Sequence, residues 1–349
     1  MASRENSAIA ILLRVLPPEF HVEPRADAVD VSLGTRHWAL QPIWAGEGLP
    51  ADIRRIRNDV LHGPAGVHGL PVIAARRMSS GARELLDESQ LSWVDASGRA
   101  SIVIPGEVYL ARLDPVPADA GRPFTWSGAA RAVAETLLTW RVRHRNNVPD
   151  SIGRAGAIAE AADVSVAHAA RVLRQFDEQG YTAKTGAERG STATRELRDP
   201  GRMLSDWAGQ YALKDKAPAA DFHVPWRDHA QTLSLIASSL STLDWALTGA
   251  AAADRIAPFL TSIPTVDVAV PFSALAEVRR TLSSHEDVHE VERGGRVRVF
   301  TADEYLFGLA DDQRGIRVAS PVRVYGDLLR DRGRSVDAAE HLREVAIGF

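Results

Sequence analysis

The chain contains no cysteine, so neither a disulfide framework nor a thiolate zinc site is open to it, and a reducing cytoplasm is the expected compartment. Lysine is nearly missing as well: it stands at Lys184, Lys214 and Lys216 alone, with none in the first third, and every other fixed cation is an arginine. No run approaches the roughly 20 apolar residues that span a bilayer, so no membrane partner is expected. The apolar stretch from Ile9 to Leu16 is short, carries Arg14 and lacks a small-residue cleavage site, so it reads as structure and not as a signal peptide. A basic excess is lacking too. With 41 Lys and Arg against 45 Asp and Glu the net charge is -4, which argues against indiscriminate nucleic-acid binding and leaves a local patch as the electrostatic route.

What is present suits an ordinary soluble protein: 45% apolar and 25% charged residues over 349 positions, enough for two or three domains. Leu113 to Pro123, with Pro115, Pro117, Gly121 and Pro123 among small residues, has the composition of a linker, and Lys214 to Pro225 reads as a second. These boundaries give domains at 1–120, 126–213 and 226–349, and a fold class of multidomain α+β or α/β.

The most informative stretch runs from Arg154 to Arg198. Arg154 to Ala162 reads as a short Ala-rich helix, Asp163-Val164-Ser165 as a turn ending on a good N-cap, and Val166 to Gln179 as a second helix stopped by Gly180. Ala169, Val172, Leu173 and Phe176 recur at spacings of three and four and form an inward stripe. Ser165, His168, Arg171 and Arg174 occupy the opposite face. At about 1.5 Å per residue they cover about 14 Å, a length suited to a major groove about 12 Å wide.

After Gly180, Thr-rich segments flank a Gly-bounded loop and read as a β-hairpin carrying Lys184, Arg189 and Arg195. The order helix, turn, helix, hairpin predicts a central winged helix-turn-helix binding double-stranded DNA. His168 and Arg171 would donate to base edges, Arg174 would reach phosphate, and Ser165 with the helix N-terminus would bind a backbone oxygen. The three hairpin cations would lie along the DNA backbone. Ser127 to about Arg145 reads as a support helix with Val133, Leu137, Leu138 and Trp140 inward. Its last turn carries Arg141, Arg143 and Arg145, which complement the helix dipole and could also reach DNA.

The first 120 residues alternate strand-like and helix-like pieces. The segment PVIAARRMSSGARELLDESQLSWVDASGRASI, from Pro71 to Ile102, resembles restriction-endonuclease-like domains attached to bacterial regulators. That resemblance implies an α/β fold whose active members hold Mg²⁺ with an Asp and a Glu-x-Lys. Such a pair is missing here, and a nuclease would need Asp30, Glu84 or Asp95 in another arrangement, so a degenerate domain is expected.

In the last third, Thr248-Gly249-Ala250 before a helix and the strand TVDVAV resemble the nucleotidyltransferase-like fold. Asp267 is the one carboxylate of that strand, and Ala269 stands where a second would complete a metal pair.

Together, WALTGAAAA, TVDVAV, VASPVRVYGDLL and AAEHLRE resemble the C-terminal domain of the AbiEi family, the antitoxins of type IV toxin-antitoxin systems. The resemblance implies promoter binding through a winged helix, repression, and opposition to a nucleotidyltransferase toxin. The expectation is therefore a transcriptional regulator with no catalysis, no cofactor and no metal, working as a homodimer and accompanied by a cognate toxin. A metal-dependent nuclease or nucleotidyltransferase using Asp95 or Asp267 is the alternative.

Overall fold

The alternation Val29-Asp30-Val31-Ser32-Leu33 places Val29 and Val31 on one side of a strand, and both are buried there. The computed structural model describes residues 2–62, 69–104, 107–112, 124–145, 152–185, 194–213, 217–225, 228–331 and 334–349. They fall into two compact units, Met1–Pro123 and Phe124–Phe349. The linker expected at Leu113 to Pro123 lies outside the described residues.

In the first unit, helix α1 (Ala2–Val15) precedes strands β1 (His21–Pro24), β2 (Val29–Leu33) and β3 (Arg36–Gly46). Then come α2 (Pro50–His62), β4 (Leu70–Ala75), α3 (Ser80–Glu88), β5 (Ser92–Asp95), β6 (Ala100–Ile104) and β7 (Val108–Arg112). The seven strands lie side by side in chain order. β3, β4 and β5 are parallel and joined by the crossovers that contain α2 and α3, and the flanking pairs are antiparallel. Ala8, Ile11, Leu12 and Val15 of α1 cover one face through Val31, Leu40, Val72 and Val94. Ile53, Met78, Ala82 and Leu86 cover the other through Ile73, Ala75 and Trp93.

Asp95 is fully buried because its carboxylate organises a turn. It accepts from the amides of Met78 at 3.1 Å, Ser97 at 2.9 Å and Arg99 at 3.2 Å, and from the Ser97 hydroxyl. Both oxygens are thus committed to protein donors, which satisfies a fully buried carboxyl group.

The second unit opens with α4 (Gly128–Arg143), α5 (Ala155–Ala161), α6 (Val166–Glu178), the hairpin β8 (Thr182–Thr185) and β9 (Thr194–Leu197), and α7 (Pro200–Ala212). It continues with β10 (Ala219–His223), α8 (His229–Ser239), β11 (Ala246–Thr248), α9 (Gly249–Ile256), β12 (Val266–Pro271), α10 (Leu275–Ser283), β13 (His289–Val291) and β14 (Val297–Ala302). Last come α11 (Tyr305–Leu309), β15 (Asp311–Gln313), β16 (Ile316–Val318), α12 (Pro321–Arg330) and α13 (Arg334–Leu342). A mixed seven-stranded sheet runs β13-β10-β14-β12-β11-β16-β15.

Two features differ from the sequence reading. The stretch Lys214 to Pro225, expected as a linker, contains β10, which pairs with both β13 and β14. Pro218 and Pro225 flank this strand, and its Ala220 and Phe222 turn inward, a period of two hidden among small residues. In addition, the stretches 126–213 and 226–349 share one hydrophobic cluster. Leu137, Phe176 and Trp207 belong to it together with Val268, Val299 and Leu328.

A buried polar network joins these halves. Glu135 of α4, fully buried, receives two hydrogen bonds from the Arg323 guanidinium of α12, at 2.9 and 2.6 Å. The Tyr305 hydroxyl donates to the same carboxylate at 2.8 Å, and Arg323 also donates to Tyr211 at 2.9 Å. Tyr211 in turn donates to Asp327 at 2.6 Å, and Thr248 donates to the other Asp327 oxygen. Burial by itself disfavours the Arg323 charge, but Glu135 and the two phenol oxygens outweigh it and hold the guanidinium firmly protonated. Burial pushes both phenols above their ordinary range, so they stay neutral donors.

Beside the network, Gly326 lets α12 come close to α7. A Cβ there would sit 2.8 Å from Tyr211 and 2.9 Å from Trp207, whose stacked rings are 5.1 Å apart.

Removing one partner of a buried pair leaves the other charge uncompensated. Glu135→Gln is therefore expected to destabilise the protein by about 3–5 kcal/mol. Urea unfolding of the full chain followed by tryptophan fluorescence measures it, and a variant as stable as the wild type would show that the pair does not hold the halves together.

Candidate nucleic-acid interface

Helix α6 is fixed from beneath. Ala169, Val172, Leu173 and Phe176 are buried, and the Phe176 ring packs against Phe124 at 5.7 Å, Trp126 at 6.0 Å and Tyr181 at 5.7 Å between centroids. The turn before it uses Asp163 in the left-handed region, with φ +51°. Ser165 then caps the helix by accepting from the His168 amide at 3.2 Å.

The predicted recognition residues share the exposed side of this helix: Ser165, His168, Arg171 and Arg174 are all exposed. Ser165 Oγ also lies 3.1 Å from His168 Nδ1. The ring therefore stands within hydrogen-bond reach of the cap, with its other nitrogen, Nε2, free of that contact. Arg171 and Arg174 make no ion pair among the described residues. Two guanidiniums on a capped helix, without an ion-pair partner among the described residues, can donate in fork geometry to phosphate oxygens or to a guanine edge.

The hairpin departs from expectation in one residue. Lys184 is exposed on β8 and lies opposite Arg195 in register. Arg195, read as a DNA contact, instead turns inward with 15% of its side chain exposed, and its Nε donates to both Asp177 oxygens at 3.2 and 3.0 Å. Asp177 also accepts from the Thr182 hydroxyl at 2.7 Å. A half-buried carboxylate on α6 attracts the nearest cation more strongly than solvent does, so Arg195 fastens the hairpin to the helix. Arg189 lies outside the described residues.

The arginines at the end of α4 are likewise occupied within the unit. Arg143 donates to the Leu309 carbonyl at 2.8 Å and to Asp311 at 2.7 Å, and Arg145 donates to the Val345 and Ala346 carbonyls at 3.0 and 3.2 Å. Arg141 lies 5.7 Å from the centre of the Phe349 ring. Sequence reasoning missed these ties because the partners are main-chain carbonyls and a terminal ring far along the chain.

Asp267 on β12 is flanked in register by Thr248 and Arg298, and Ala269 two positions on carries no carboxylate. Gly249, at φ +60°, admits it: a Cβ there would lie 2.5 Å from Asp267 Oδ2. Burial raises the Asp267 pKa from its ordinary 3.8 to about 7, with Asp331, Asp327 and Asp221 adding to the rise and Arg298 opposing it. No group of three or more histidines and carboxylates able to hold a metal occurs among the described residues.

The unit thus combines three helices and a hairpin, bearing a cationic face, with helices packed on a mixed sheet. Its residues 196–348 match the family model described as transcriptional regulator, AbiEi antitoxin, type IV TA system, a segment shorter than half of the chain. That segment is similar to a regulator and antitoxin family, and it includes the sheet, α7 and α12 with Arg323, whereas the Glu135 partner on α4 lies outside it. No curated protein and no solved structure matches the chain. No helix among the described residues is long and apolar enough to cross a membrane.

The Asp267 carboxyl carries a pH signature. A group that titrates at 3.8 unfolded and near 7 folded imposes no penalty at low pH, a growing one as pH rises between those values, and its full penalty above 7. Asp267→Asn is expected to raise stability at pH 8 by about 1–3 kcal/mol and to leave it unchanged below pH 4. Thermal unfolding across pH reads the difference, and a gain that did not depend on pH would contradict a raised Asp267 pKa.

Proposed function

We propose that the chain is a sequence-specific, DNA-binding transcriptional regulator of the antitoxin type, and that α5, α6 and the β8–β9 hairpin form a winged helix-turn-helix. The observation that carries this reading is the exposed His168, Arg171 and Arg174 face on a helix whose opposite side is locked into an aromatic cluster. A rigid helix presents donors at fixed spacing, and fixed spacing is what base edges and phosphates select. The similarity of residues 196–348 to a transcriptional regulator and antitoxin family supports the same reading. The segment that resembles the family is assigned the opposition to a cognate toxin.

In this reading His168 donates to a base acceptor, Arg171 reads a guanine edge, Arg174 holds phosphate, and Lys184 meets the backbone from the hairpin. Ser165 caps α6 and, with the helix N-terminus, binds an oxygen of the DNA backbone. Two copies pair on a two-fold operator, since one recognition helix covers only a few base pairs. The proposed regulator uses no catalytic step, cofactor or metal.

The decisive experiment recovers DNA fragments bound by the purified chain and titrates the enriched fragment in gel shifts. Arg171→Ala is expected to weaken binding to it by about 1–3 kcal/mol while leaving the weak binding to random DNA almost unchanged. Enrichment of no common motif, or full binding by the Arg171→Ala variant, would reject the assignment.

A further inference from the structure

We propose that Val166 reads a thymine in the operator through its 5-methyl group, so that the recognition helix carries an apolar contact beside its cationic ones. The inference rests on the DNA-binding reading above. Val166 is the first residue of α6, directly after the Ser165 cap, and 57% of it is exposed. It lies beyond the covered end of the stripe formed by Ala169, Val172, Leu173 and Phe176, so it adds nothing to that core. Ala167 beside it is exposed, and Ala170 one turn on is half-buried. Both are too small to shield it.

The branched, stiff valine side chain therefore stands uncovered at the end of the helix that also presents His168. In the major groove the thymine methyl is the apolar feature of a base pair, and contact with it removes apolar surface from water on both sides. Val166 and Arg171 are about 7.5 Å apart along the axis at roughly 1.5 Å per residue, which is about two base steps at roughly 3.4 Å each. The half-site is accordingly a thymine about two base pairs from the guanine read by Arg171.

The test replaces each thymine of the recovered operator in turn with deoxyuridine, which lacks only the methyl group, and measures binding of wild type and V166A. Loss of one buried methyl corresponds to about a 4-fold change in affinity. One position per half-site is expected to weaken the wild type by that amount, and V166A is expected to bind the thymine operator about as weakly and to ignore the same replacement. Circular dichroism of V166A checks that the fold is retained. Equal binding of the wild type to every uracil variant, or V166A still sensitive at that position, overturns the proposal. A wild-type chain with no preference for any fragment over random DNA would instead remove the DNA-binding reading, and this inference with it.

Discussion

The Glu135–Arg323 ion pair is the constraint around which the second unit is arranged. Neither charge could remain in an apolar interior unless its hydrogen-bonding groups found partners, and the required partners come from separate elements: Tyr305 of α11 donates to Glu135, and Tyr211 of α7 accepts from Arg323. Helix α4, which packs against α5 and α6, is therefore placed relative to the sheet by charge complementarity as well as by apolar contact. Gly326 is part of the same arrangement, because Trp207 and Tyr211 occupy the space its side chain would have filled.

The candidate interface is a different solution to the problem of placing charge. Arg171 and Arg174 sit in solvent on a face whose reverse is fully apolar, so their guanidiniums remain hydrated until a partner of opposite charge arrives. Arg143, Arg145 and Arg195 look equally available in a list of cations, yet each lies near carbonyls or a carboxylate belonging to the same unit. Arginine abundance alone therefore says little about binding, and the geometry around each guanidinium decides its role.

This contrast also explains what could be read from the sequence. The cap at Ser165, the stripe on α6 and the stop at Gly180 are local features, and the order of helices and hairpin follows from them. The exposed face of α6 was legible for the same reason. By contrast, β10 was hidden because a short strand bounded by prolines has the composition of a linker, and its pairing with β13 and β14 is not visible locally. Arg195 was misplaced because its partner, Asp177, lies across the hairpin base, and the Glu135–Arg323 pair joins residues too far apart for periodicity to reveal.

The Asp177 carboxylate has one more implication. By gripping Arg195 and Thr182 at once, it couples the hairpin to the end of α6, so neither can tilt without breaking a bond to the other. In the proposed regulator, a duplex whose groove width puts its phosphates out of reach of the hairpin would also be held away from α6. Discrimination would then extend to the curvature and flexibility of the double helix at positions where no side chain touches a base.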